Sequence, residues 1–179
     1  MSSLNTSAYR FARPTGQCAI TSKPIEPGAE YTACLVESEE ENALLRVDLS
    51  MEAWEAGERP EQCFAMWHAT MPTPEQRHNP FLGDDELLAI FDQLCEAGSE
   101  LSDQQQTFQF LLALLLLRKR LLRQDGSRAG DNGARVMLLR RKGENKEETD
   151  AIEVPDPGLR EEEAAEAAIA LGQALRGDE

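Results

Sequence analysis

Eight consecutive apolar residues, Phe110 to Leu117, constrain this chain more than any other feature. A helix needs about 20 such residues to cross a bilayer. The run is therefore too short to span and has to be buried in a protein core. Ser102, with Gln105 three residues later, reads as a capping box that starts the helix. Arg118, Lys119 and Arg120 close it with cations, which the helix dipole favours at a C-terminus. These limits predict five or six turns. Leucine on every side needs cover on every side, from neighbouring elements or, where those fall short, from a partner subunit.

The flanking sequence offers candidates for that cover. Asp84 or Asp85 caps a helix in which Leu87, Leu88, Ile90, Phe91 and Leu94 recur at the 3.6-residue period, and Gly98 ends it. The connection to Ser102 is short, so residues 80–124 read as an antiparallel helical hairpin. Residues 9–72 read as a β-rich unit. Tyr9, Phe11 and Arg13 alternate as one strand, and Pro14–Gly16 and Pro27–Gly28 are turns. Tyr31–Glu37 and Leu44–Leu49 form a hairpin around the polar stretch Ser38–Asn42. Ser50 caps a short helix through Met51, Trp54 and Ala56 that stops at Gly57. Cys63–Met71 is a further strand, ended by Pro72 and Pro74. A linker, Thr73–Asn79, leads into the hairpin.

Beyond the leucine run, Asp125–Gly133 reads as turn material. Residues 134–154 form a β-hairpin, with Arg135–Arg140 and Ala151–Val154 paired around a polar turn at Lys142–Lys146. Residues 159–176 are a last helix with Glu161, Glu162 and Glu163 in its first turn. Its narrow stripe of Ala164, Ala168, Leu171 and Leu175 marks a surface or docking helix. The fold class is α+β, with residues 9–154 as one domain and 1–8 as a disordered tail.

Hydrophobic residues make up 41% of the 179 and charged residues 28%, the balance of a folded globular protein. Met1–Ala8 lacks the basic and apolar regions of a secretory signal, so a cytoplasmic location is expected. In that compartment Cys18, Cys34, Cys63 and Cys95 are expected to be reduced, packed thiols.

The net charge is −15, yet ten of the 18 Lys and Arg residues fall between Arg118 and Lys146. With only Asp125, Asp131 and Glu144 as acids, that window carries +7 against −22 for the rest. Arg118, Lys119, Arg120, Arg123, Arg135, Arg140, Arg141 and Lys142 are the candidate interaction residues. They suit an acidic protein partner or the phosphates of RNA or a ribosome; internal pairing with the chain's own acids is the plainer account. The lack of aromatic residues after Phe110 removes stacking platforms and weighs against nucleic acid.

Motifs for chemistry are incomplete. Gly126, Gly130 and Gly133 are not followed by Lys-Ser or Lys-Thr, so no phosphate loop forms. Cys63 and His68 lie five apart on a strand, which puts them on opposite faces and rules out a dyad; His78 sits in the polar linker. No catalytic residue and no cofactor are expected, and the chain is read as a non-enzyme. A zinc knuckle needs two thiolates in one turn, but Thr21 stands where the second would follow Cys18. A set such as Cys18, Cys34, Cys63 and His68 is arithmetically possible, and a turn with packed cysteines is the expectation.

The turn Cys18–Thr21, Pro27 with Gly28, the step Asp48, Ser50 and Trp54, and the ending Phe64, Trp67 and Pro72 occur together with the leucine helix. In this combination, residues 9–122 resemble an uncharacterised family of small bacterial cytoplasmic proteins with a degenerate zinc-knuckle-like N-terminal segment. The resemblance implies a zinc-ribbon-like N-terminal unit packed on the helical hairpin, and no reaction. The expected function is a non-enzymatic interaction or adaptor role, with another protein or a second copy of the chain as partner. RNA or ribosome binding through 118–142 and a structural zinc site are the alternatives.

Overall fold

In the strand β1, Glu30–Ser38, residues Tyr31 to Leu35 are all buried, the mark of a central strand covered on both faces. The computed structural model describes residues 14–39, 43–74, 82–131 and 133–174. β1 pairs antiparallel with β2, Ala43–Ser50, and with β3, Cys63–Thr70, in the order β2-β1-β3. Between β2 and β3, Ser50 accepts the amide of Ala53 and caps the short helix α1, Met51–Glu55. Gly57, at φ 88°, ends that turn in the left-handed region where a Cβ would be strained.

The boundary between the two units of the chain falls between Glu86 and Leu87. Helix α2, Asp84–Ala97, starts at that junction and buries Leu87, Ile90, Phe91 and Leu94, the periodic residues. A 3₁₀ turn, Gly98–Glu100, leads to α3, Asp103–Arg118, whose capping box joins Ser102 and Gln105 as the spacing predicts. Gln109 on α3 reaches back to the Cys95 sulfur on α2 at 3.5 Å, so the two helices fold onto each other.

The leucine helix ends at Arg118, and the segment after it differs from the sequence expectation. Leu122–Ala129 is a strand, β4, not turn material. It pairs with β5, Arg135–Arg141, which pairs with β6, Ile152–Pro155, in the order β4-β5-β6. Only Leu122 of β4 is buried, so the strand has no apolar alternation to announce it. Pairing with β5 holds it in place. Helix α4, Glu161–Ala174, comes next in the chain and buries Ala164, Ala167, Ala168 and Leu171.

Among the described residues the fold is thus α+β, with two antiparallel three-stranded sheets and four α-helices. None of those helices is long and apolar enough to cross a membrane. The expected strand through Tyr9, Phe11 and Arg13, the tail 1–8, His78 and Leu175 lie outside the described residues.

Candidate functional site

The basic window divides into cations that bind the chain's own acids and cations that reach a groove. Arg140 is 4% exposed. Its Nε donates to Asp125 Oδ2 at 2.7 Å, and its Nη1 donates to Thr149 Oγ1 at 2.7 Å and to the carbonyls of Asn145 and Thr149. Asp125 is the extra residue of a β-bulge in β4, between Gln124 opposite Leu139 and Gly126 opposite Leu138. The bulge brings its carboxylate to Arg140 and also to Arg123, 3.2 Å away. The Arg140 hydrogen bond holds the Asp125 carboxyl below its usual range.

Arg123 also donates to the Glu144 carbonyl at 2.8 Å. Arg141 pairs with Asp92 of α2, and that hydrogen bond pushes the guanidinium's pKa up. Arg128, outside the predicted set, pairs with Glu153 of β6. Lys119 is the C-cap of α3, and Arg120 takes the left-handed conformation, φ 61°, that turns the chain into β4. Lys142 is exposed at the end of β5.

Arg118 and Arg135 are brought together differently, at a cavity of about 550 Å³ within the second unit. Phe110, Leu114 and Arg118 line one side at helical spacing along α3. Met137 and Gln124 belong to the sheet, and Ala165, Ala168 and Ile169 to α4. Asp156 and Glu161 add carboxylates, so the lining is an apolar surface with charges of both signs. Leu114 is one of the two leucines of the run that stay only half-buried, and Ile169 is 44% exposed. Sequence reasoning placed Arg118 and Arg135 in the window but missed the groove, since the arginines are 17 residues apart and meet only through the β4–β5 pairing.

In the first unit, Cys18 is buried in the turn it begins, where Ser22 donates to the Cys18 carbonyl and Cys18 donates to Lys23. Burial alone pushes the thiol up. Hydrogen bonds from the Thr21 hydroxyl and the amides of Thr21, Ser50 and Ile20 outweigh it and bring the pKa down to about 6. The Thr21 hydroxyl thus serves the sulfur from the place where a knuckle would carry its second thiolate.

The opposite-face expectation for Cys63 and His68 is corrected by a bulge. Leu35 lies opposite Ala65 but Val36 lies opposite Cys63, which makes Phe64 the extra residue and returns Cys63 to the face of Cys34 and His68. His68 Nδ1 is 3.0 Å from Thr32 Oγ1, and its ring meets Trp54 edge-on with centroids 6.2 Å apart. Trp67 belongs to the other face, with the Arg46 guanidinium 5.2 Å from its ring centroid. Among the described residues no three His, Cys, Asp or Glu side chains gather to hold a metal.

Comparisons of the chain with protein-family models, with curated proteins and with solved structures return no match.

Proposed function

We propose that this chain is a non-enzymatic interaction protein of the cytoplasm, and that its second unit docks a peptide segment of a partner protein in the groove between α3, the β4–β5 sheet and α4. The observation that carries this reading is Leu114. A helix leucine all round should be covered all round, yet Leu114 opens with Ile169 onto a cavity of about 550 Å³ bounded by Arg118 and Arg135. An apolar side chain would cover the two, and a carboxylate on the same segment would meet the arginines.

Phosphate binding through residues 118–142 draws less support, because Arg123, Arg128, Arg140 and Arg141 hold carboxylates of the chain itself. A structural zinc site draws less still, since Cys18 and His68 bind other partners. The zinc-knuckle-like ancestry suggested by the N-terminal resemblance is consistent with the hydrogen-bonded turn at Cys18.

Selection of displayed peptides on the folded chain tests the groove. Peptides with an apolar residue near an acid should be enriched, and Ala168→Trp, which fills the groove, should abolish their binding. Arg118→Glu with Arg135→Glu should weaken it at least tenfold. Enrichment that Ala168→Trp leaves untouched, or binding only to a second copy of the chain, would overturn the assignment.

A further inference from the structure

Two thiols of the first unit, Cys34 and Cys63, are brought to one face of the sheet by the Phe64 bulge. Cys34 is fully buried in the central strand, and Cys63, the first residue of β3, is partly exposed. Val36, two residues from Cys34 on the same face of β1, is the register partner of Cys63. The two side chains are therefore diagonal neighbours on one face, and they share a hydrogen bond. Diagonal neighbours across a strand pair stand about 7–8 Å apart, so it is the hydrogen bond between the two sulfurs, and not the register alone, that brings them into contact.

We propose that Cys34 and Cys63 form a hydroperoxide-reactive dithiol, with Cys63 as the attacking sulfur and Cys34 as the resolving one. Exposure decides the order, because an oxidant meets Cys63 first and reaches Cys34 only through it. The local charges agree. The hydrogen bond from Cys34 draws the Cys63 thiol down, burial opposes it, and the hydrogen bond with the Ala65 backbone and, last, the Arg59 guanidinium help. The same hydrogen bond and burial push Cys34 up, so it keeps its proton until it is needed. Arg59 is fixed there by the Trp54 ring, 3.4 Å from its centroid, and by donation to the Trp54 carbonyl at 2.7 Å.

The chemistry balances in two steps. The Cys63 thiolate attacks one oxygen of the hydroperoxide and the O–O bond breaks. The leaving alkoxide takes up the proton that Cys63 had released and departs as alcohol, or as water from hydrogen peroxide. Cys63 is now a sulfenic acid. The Cys34 sulfur then attacks the Cys63 sulfur, the S–O bond breaks, and hydroxide leaves with the Cys34 proton as water. Two thiols are oxidised to a disulfide joining β1 to β3, one peroxide is reduced, and a dithiol reductant restores the pair by exchange.

Hydrogen peroxide at one equivalent, added to the full reduced chain, tests this by mass spectrometry before and after alkylation. Expected are a loss of about 2 Da (two hydrogens) before alkylation, two fewer alkyl groups than the reduced chain after it, and a linked Cys34–Cys63 peptide, all reversed by dithiothreitol. Cys63 should react at least about tenfold faster than Cys95, whose burial pushes its thiol up to about 11. Cys34→Ser should stop the reaction at a sulfenic acid on Cys63, trapped by dimedone, and Cys63→Ser should leave Cys34 reduced. Absence of the linked peptide from the wild-type chain, or oxidation of Cys34 in Cys63→Ser, would overturn the proposal. The wild-type result stands even if a variant fails to fold.

Discussion

Arg140 Nε lies 2.7 Å from Asp125 Oδ2, and this pair ties β5 to the bulge of β4. One guanidinium serves the bulge of β4 on one side and Asn145 and Thr149 on the other. Arg140→Ala is expected to lower the melting temperature by roughly 5–10 °C, with hydrogen exchange accelerating first in residues 142–151. Asp125→Asn should have a smaller effect in the same segment. Because Arg140 depresses the Asp125 carboxyl, its contribution is present above the ordinary carboxylate value of 3.8 and is lost as pH falls below it. Exchange rates in 142–151 that do not change in Arg140→Ala would contradict this account.

Leu116 has no exposure, so Leu116→Ala should cost about 2–5 kcal/mol. Leu114→Ala should cost less, because one side of Leu114 already faces the groove. Ser102→Ala removes one half of the capping box and should cost about 1 kcal/mol. Denaturant melts of the three variants give the order, and a larger loss for Leu114 than for Leu116 would mean that the groove is closed in solution.

Sequence patterns were most informative where burial and period coincide. The capping box at Ser102, the period in α2 and the β5–β6 hairpin are local patterns, and each appears in the structure as expected. Three features were hidden because they depend on partners distant in sequence. The polar segment of β4 becomes a strand through β5, and bulges at Asp125 and Phe64 change which residues share a face. A bulge adds one residue and so reverses every facing downstream. For this reason strand alternation set Cys63 apart from His68, and only the arithmetic of a metal set put Cys63 beside Cys34. The charge window was legible, but which of its arginines are internal was not. Arg140 and Arg135 look alike in sequence, and only pairing separates a buried guanidinium from one lining a groove.

Asp48 and Arg46 form a second buried pair, 2.9 Å apart and 2% and 11% exposed. Asp48 also accepts the Thr15 amide at 3.2 Å, while Arg46 donates to the Tyr31 hydroxyl at 2.6 Å and lies over the Trp67 ring. Asp48→Ala leaves Arg46 without its carboxylate and should cost about 3 kcal/mol. Trp67 should report the change, since loss of the ordered cation beside its ring alters its fluorescence. An unchanged spectrum together with unchanged stability would show that the pair does not hold this face of the sheet.

Cys18 provides a test of the knuckle-like turn that requires no metal. Its pKa is about 6 in the folded chain against 9.0 as the ordinary value. A depressed group stabilises the fold when ionised, so its contribution is complete above pH 9, declines as pH falls, and is gone below about 6. Between those limits the stability should change by about 1.4 kcal/mol per pH unit for this one proton. Thiolate absorbance of the wild-type chain minus that of Cys18→Ser should titrate with a midpoint near 6. Denaturant melts should show the slope in the wild type and a flatter profile in Cys18→Ser. Thr21→Val removes the hydroxyl that donates to the sulfur and should move the midpoint upward. A midpoint near 9 in the wild type would mean that the Thr21, Ser50 and Ile20 donors do not reach Cys18 in solution.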